Sequence, residues 1–180
     1  VGKLVNIASR CAGFVQRGGG QLADKLPELA LYEEFAGARA AIGAAFDKRE
    51  YSAALREIML LADKANQYVD ARKPWALAKD PAKAVEVLAV CTQGINLFRV
   101  LMTYLAPVLP QMADKAGKFL RAPLADWNAI AKPLLGAPIE AYEPLATRLD
   151  PKVVAQLVAA AAPAPAPAGN ETKPAKQAKP

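Results

Sequence analysis

The stretch INLFRVLMTYL, from Ile95 to Leu105, limits the fold most because it is apolar on nearly every side of a helix. A surface helix needs only one apolar stripe, whereas a helix of this kind must be surrounded by other elements. Asp80 and Pro81 mark its start, as an N-cap residue followed by a proline in the first turn. We therefore expect a helix over about residues 81–106 that runs through the middle of a bundle.

Elsewhere, apolar residues recur with the period of a helix, and no segment shows the alternation of a convincing strand. The other predicted helices span about 2–17, 28–48, 50–72, 109–119 and 151–161. Gly18 to Gly20 end the first, and Pro74 breaks the chain after the third because proline cannot continue the hydrogen-bond ladder. Prolines and glycines punctuate the later part of the chain. The expected fold is all-α, an antiparallel helix bundle with an irregular C-terminal third.

The last segment, AAAPAPAPAGNETKPAKQAKP, alternates alanine with proline and then becomes rich in lysine. It contains almost nothing that could be buried, which predicts an extended, disordered linker. We therefore divide the chain into a helix bundle over residues 1–160 and a disordered linker over 161–180. A linker usually leads to another module, and Val1 is not preceded by a methionine, so we expect a piece of a longer protein.

Composition removes several classes of function. The chain has no histidine, which excludes histidine metal sites and Ser-His or Cys-His nucleophile pairs. Cys11 and Cys91 lie among apolar residues of predicted helices and are interpreted as buried free thiols in a reducing cytoplasm. No apolar run approaches the roughly 18 to 20 residues of a membrane span, so we expect a soluble cytoplasmic protein without a membrane partner. The net charge of +6 permits nucleic-acid binding without requiring it.

The first predicted helix has a polar face opposite its apolar stripe, formed by Lys3, Asn6, Arg10 and Arg17. Asn6 and Arg10 are four residues apart, so their side chains project together from one surface. An amide beside a guanidinium offers donors and an acceptor in fixed directions, which is what reading the edges of unpaired bases requires. The same pattern also describes a solvated polar face, and taken alone it favours that interpretation.

Trp75 follows Pro74 at a helix break, where a ring is more readily presented at a corner than buried. An exposed indole can stack on an unpaired base for roughly 1 to 3 kcal/mol. Arg72 and Lys73 precede it and could meet phosphate groups. A tryptophan that caps the end of the bundle remains an equally good interpretation.

Other polar residues are weaker candidates. Gly18 to Gly20 lack the preceding strand and the following Gly-Lys-Ser/Thr of a phosphate loop. Asn66, Asn96 and Arg99 lie within or beside apolar stripes, where buried polar groups need partners, so we expect internal hydrogen bonds. No residue is assigned a catalytic or metal-binding role.

Three segments, VNIASRCAGF, ANQYVDARKPWALAK and INLFRVLMTYLAPVLP, resemble the anticodon-binding domain of bacterial methionyl-tRNA synthetases. The resemblance covers about residues 1–160 in order and implies the helix bundle of a class I synthetase. It matches Asn6 and Arg10 to the base-reading motif N-x-x-x-R of the family's first helix. It also matches Trp75 to the stacking tryptophan that a proline, here Pro74, precedes.

The resemblance implies recognition of the CAU anticodon of methionine tRNA, including the initiator. The parent enzyme would ligate methionine to that tRNA with ATP, whereas the family's catalytic motifs and zinc-binding cysteines have no counterpart in this chain. ATP and zinc would belong to that catalytic part, and this piece would hold no cofactor. Further partners implied are the parent's catalytic domain, a C-terminal OB-fold domain and a second copy of the parent in a homodimer.

Two other functions stay open at this point. A helical protein-interaction module could bind partner helices through an unusually apolar surface. A self-contained enzyme is the third interpretation, which the lack of histidine and of any phosphate or metal motif disfavours.

Overall fold

A computed structural model describes residues 2–146 of the chain, and this part contains helices and no named strand. The elements are α1 (Gly2–Arg17), α2 (Leu29–Gly37), α3 (Arg39–Asp47), α4 (Tyr51–Arg72), α5 (Pro74–Leu77), α6 (Ala84–Leu105) and α7 (Pro110–Leu120). Short 3-10 helices span Pro81–Lys83 and Ala129–Ala131. The expected all-α architecture is therefore confirmed. The predicted helix over 151–161 and the predicted linker over 161–180 lie outside the described residues, so the domain boundary stays a prediction.

The apolar helix α6 forms the centre of the bundle, as its sequence predicts. Every residue from 90 to 105 is buried, mainly against α1 and α4, with α2, α5 and α7 around them. Asp80 caps the turn that leads into it, since its Oδ1 accepts a hydrogen bond from the Ala82 N–H at 3.0 Å. By length and mean composition Pro81–Leu105 is apolar enough to cross a membrane, although polar residues interrupt its apolar runs, as expected from the sequence. However, 78% of the 18-residue apolar stretch within this helix is buried inside the bundle.

Two helix boundaries differ from the prediction. The single helix expected over 28–48 is two helices, α2 and α3, which meet at Ala38. Gly37 stands at this break, and glycine is a poor helix former because it loses the most backbone freedom on folding. The break expected after Arg72 is present, but Pro74 begins the one-turn helix α5 at once, because proline suits the first position of a helix.

Residues 121–146 are mostly irregular, and polar side chains of α6 hold part of this segment. Arg99 donates from Nη1 to the Lys132 carbonyl and from Nη2 to the Ala129 carbonyl, both at 2.8 Å. Asn96 donates to the Leu134 carbonyl at 2.9 Å and accepts from the Leu134 N–H at 2.7 Å. The expected internal hydrogen bonds are thus confirmed. Burial lowers the pKa of the Arg99 guanidinium.

Close packing of α1 on α6 fixes the orientation of α1. Cys11 and Cys91 are both fully buried and both thiols are free, as expected. A Cβ atom added to Gly94 of α6 would lie only 2.7 Å from the Cys11 Sγ, so glycine is what lets the two helices approach. The polar face of α1 is therefore turned away from the core.

Candidate nucleic-acid interface

The outer face of α1 carries the asparagine and the arginine selected from the sequence. Asn6 is exposed and Arg10 is partly exposed, one helical turn further along. Between them and on either side, Leu4, Ile7, Ala8 and Cys11 point into the core. The register of the apolar stripe is what places the two polar side chains on a common surface.

Arg10 lies against Trp75, although the two residues are far apart in sequence. The guanidinium carbon of Arg10 is 4.5 Å from the centroid of the Trp75 ring, within the range of a cation–π contact. Arg10 Nη2 also donates to Oδ1 of Asp70, two residues before the end of α4. The guanidinium is therefore held between a ring and a carboxylate, while 33% of the Arg10 side chain remains accessible to solvent.

The junction between α4 and α5 presents Trp75 at a corner. Lys73 ends α4 with φ 45°, in the left-handed region, while its N–H donates to the Val69 carbonyl at 2.9 Å. A left-handed residue that satisfies the last helical carbonyls is a common way to end a helix. Pro74 is buried and anchors the first turn of α5, whereas Trp75 keeps 38% of its surface exposed. The buried proline therefore fixes the turn on which the exposed ring stands.

The basic residues around this corner have partners of different kinds. Lys3 Nζ lies 2.6 Å from Oδ1 of Asp63, and Arg72 pairs with Glu28. The guanidinium carbon of Arg72 is also 5.8 Å from the Tyr68 ring centroid. Exposed pairs of this type contribute little to stability, so a phosphate can replace the carboxylate at small cost.

Arg17 lies apart from this group, near the end of α1. Its guanidinium carbon is 4.4 Å from the centroid of the Phe14 ring. Lys73 is exposed, close to Trp75 in sequence. The structure therefore brings Arg10 and Trp75 into contact, puts Asn6 one turn away, and spreads the remaining basic residues along both sides.

The sequence interpretation missed the acidic partners of this surface, Asp63, Asp70 and Glu28. Each is far from its partner along the chain, and no local pattern marks the pairing. The packing of α1 against α4 decides which carboxylates meet Lys3 and Arg10, and the position of the segment before α2 decides the partner of Arg72.

In this arrangement a planar group can stack on Trp75, Asn6 and Arg10 can form hydrogen bonds to the edge of that group, and the basic residues can neutralise nearby phosphate. Within residues 2–146, no group of three or more His, Cys, Asp or Glu residues could hold a metal ion.

Comparison with known proteins identifies the family. Residues 18–142 match the family described as the anticodon binding domain of methionyl tRNA ligase. This match includes Trp75 and begins after Asn6 and Arg10.

Two methionine–tRNA ligases align over most or all of the chain. The one from Stenotrophomonas maltophilia strain K279a is 50% identical over 159 residues, which cover 88% of this chain and 23% of the relative. The one from Xanthomonas oryzae pv. oryzae strain PXO99A is 45% identical over 193 residues, which cover 100% of this chain and 28% of the relative. The chain thus spans about a quarter of the length of these relatives.

A solved structure shares the fold. The crystal structure of the apo form of Mycobacterium tuberculosis methionyl-tRNA synthetase matches with a TM-score of 0.74 and 22% identity, over 83% of this chain and 32% of that one. The fold, the family match and the two relatives agree. The chain belongs to the family of methionyl-tRNA ligase anticodon-binding domains.

Proposed function

We propose that this domain reads the CAU anticodon of methionine tRNA, including the initiator tRNA. The observation that carries the proposal is the stack of Arg10 on the half-exposed ring of Trp75, with Asn6 one turn away on the same surface. This combines a stacking platform with directed donors and an acceptor. Unpaired bases are recognised in this way, by stacking of the ring and hydrogen bonds to its edge.

In the proposed mechanism the anticodon bases leave their own stack, and the first of them stacks on Trp75. Arg10 and Asn6 then bond to base edges. Asp70 and the Trp75 ring hold the Arg10 guanidinium before RNA arrives, which reduces the rotamer freedom that binding must remove. Stacking of one base contributes about 1 to 3 kcal/mol.

The basic residues Lys3, Arg17, Arg72 and Lys73 hold the RNA backbone in this proposal. Lys3 and Arg72 exchange their exposed carboxylate partners for phosphates. Each phosphate neutralised releases bound counterions from the RNA, so affinity should fall with rising salt in proportion to the number of contacts.

The whole protein would be a class I methionine–tRNA ligase that uses ATP, and this domain would supply tRNA recognition without any catalytic group. ATP and zinc would be bound by the catalytic part, which is also the nearest partner of this domain. A C-terminal OB-fold domain and a homodimer complete the proposed assembly, in the cytoplasm and without a membrane partner.

Titration of the 180-residue chain with two fluorescent RNA stem-loops tests the proposal. The first has the anticodon CAU and the second an altered anticodon in the same stem. We expect the CAU stem-loop to bind at least about tenfold more tightly, and Trp75→Ala to weaken that binding by about tenfold or more. Tyr51→Ala, at the distant start of α4, removes another exposed aromatic ring and is the matched control.

Equal affinity for the two stem-loops would contradict anticodon reading and would favour the protein-interaction module. A second measurement uses the full-length ligase. Trp75→Ala or Arg10→Ala should strongly reduce charging of methionine tRNA while leaving methionine-dependent ATP–pyrophosphate exchange unchanged, because the substitutions are outside the catalytic part. Charging at the rate of the unmodified enzyme would contradict the assignment of these residues.

A further inference from the structure

A second surface feature adjoins the Arg10–Trp75 stack. A groove of about 310 Å³ lies between the end of α1 and the start of α6, and we call it the Phe14 groove. Phe14 is one helical turn beyond Arg10, and Ala78, also in the wall, follows Trp75 by three residues. The wall of the Phe14 groove therefore begins one helical turn from Arg10 and three residues from Trp75.

The walls of the Phe14 groove are mainly apolar and remain open to solvent. Pro81, Val85 and Leu88 form the side contributed by α6 and the turn before it. Val85 is 82% exposed, more than any other large apolar side chain in residues 2–146. Val85 therefore contributes little to the core, and together with Phe14, Pro81 and Leu88 it forms a contiguous apolar wall that is open to solvent.

Two charged residues stand at the edges of the Phe14 groove. The Arg17 guanidinium covers the Phe14 ring, as Arg10 covers Trp75 seven residues earlier. Asp80 uses Oδ1 to accept from the Ala82 N–H, and within residues 2–146 its other oxygen has no side-chain partner. A planar ligand could therefore meet a donor at one edge and an acceptor at another.

We propose that the Phe14 groove binds a second unpaired base of the same RNA, one that lies in the anticodon loop outside the anticodon triplet. This inference rests on the proposed function of the domain. The two arginine–aromatic stacks are about 10 Å apart along α1, and three nucleotides of a single strand cover that rise even at the short spacing of about 3.4 Å. The Phe14 ring and Val85 contact the faces of the base, while Arg17 and Asp80 bond to its edge.

Charge and size favour an RNA base over a protein segment. Lys79 and Lys83 flank Asp80 and line the adjoining cleft, so the surroundings attract a polyanion. The Phe14 groove is near the lower limit of small-ligand pockets, about 300 Å³, which suits one base and is short for an amphipathic partner helix.

Substitutions in the groove, combined with abasic RNA, test this inference. In the 180-residue chain we expect Val85→Glu to weaken binding of the CAU stem-loop by about tenfold, since loss of one base stack weakens binding by about that factor. Val85→Thr, which keeps the branched shape without a charge, is the matched control and should bind as the unmodified chain does. Phe14→Leu should also weaken binding, with urea unfolding used to verify that the chain is folded.

Abasic nucleotides placed singly at each loop position outside the triplet identify the occupant. One such RNA should bind the unmodified chain about tenfold more weakly than the intact stem-loop does. The same RNA should bind Val85→Glu and Phe14→Leu with the affinity that it has for the unmodified chain. If both substitutions remain as harmful with every abasic RNA, the ligand is not a base and the inference is wrong. If both bind like the unmodified chain while Trp75→Ala weakens binding, the inference fails and the proposed function stands. If Trp75→Ala has no effect either, both fail.

Discussion

Two asparagine–arginine pairs in this molecule carry the same chemical groups in opposite environments. Asn96 and Arg99 of α6 are 0% and 4% exposed, and they bond to main-chain groups of residues 129–134. Asn6 and Arg10 of α1 lie on the outer surface, where Arg10 contacts the side chains of Asp70 and Trp75. A ligand can replace an exposed side chain, but it cannot replace a buried carbonyl. The type of partner, more than the type of residue, separates groups that stabilise the fold from groups available for binding.

The largest effect expected from this comparison is on stability at Arg99. Arg99→Met removes two charge-assisted hydrogen bonds and leaves the part-buried Lys132 and Ala129 carbonyls without these partners. Because each such loss costs about 1 to 3 kcal/mol, we expect the free energy of unfolding to fall by about 3 to 5 kcal/mol. Urea unfolding followed by circular dichroism measures it. Arg10→Met is the matched control, and a similar loss in both variants would show that the two arginines do not differ in the way proposed here.

Asn96 should show a smaller and more local effect. Asn96→Leu removes the acceptor of the Leu134 N–H and the donor to its carbonyl, for an expected loss of about 2 to 3 kcal/mol. Hydrogen exchange of the Leu134 amide should accelerate more than exchange elsewhere, because its acceptor at 2.7 Å is gone. Asn6→Leu should leave this amide unchanged. Unaltered Leu134 protection in Asn96→Leu would mean that the loop is held by other contacts.

Much of the fold followed from sequence, for a physical reason that α6 illustrates. An apolar surface around the whole helix leaves no arrangement except a central one, so Ile95 to Leu105 predicted both the bundle and its core. The same burial argument separated Asn96 and Arg99, which lie among apolar residues, from Asn6 and Arg10, which lie opposite an apolar stripe. The break at Ala38 was missed because a single Gly37 only weakens a helix, and packing decides whether the helix bends there.

The candidate surface was predictable only in part. Local spacing placed Asn6 and Arg10 together, and Pro74 indicated a corner at Trp75. That Arg10 lies on the Trp75 ring, and that Asp70 holds it there, depends on how α1 crosses α4 and on the left-handed Lys73. Contacts between elements so distant in sequence leave no periodic or spacing signal.

Shape and charge at Arg10 can be separated by a conservative substitution. Arg10→Lys keeps the positive charge but loses the planar group that stacks on Trp75 and offers several fixed donors. We expect affinity for the CAU stem-loop to fall by about tenfold, or 1.4 kcal/mol, while the salt dependence of binding stays the same because the charge is retained. Arg56→Lys, an exposed position on α4, is the control. A changed salt slope with little loss of affinity would indicate that Arg10 acts only as a charge.

The smallest effect is expected at Asp70. It tests whether the protein folds equally well without the ion pair between Arg10 and Asp70. Asp70→Asn removes an exposed ion pair whose side chains are 33% and 56% accessible, so the free energy of unfolding should change by about 0.5 kcal/mol or less. Added salt should reduce even this difference, because exposed charges are screened. Urea unfolding at low and high salt measures both. A loss of several kcal/mol that persists in high salt would place Arg10 with Arg99 among the residues that hold the fold, and the difference proposed between the two arginines would be wrong.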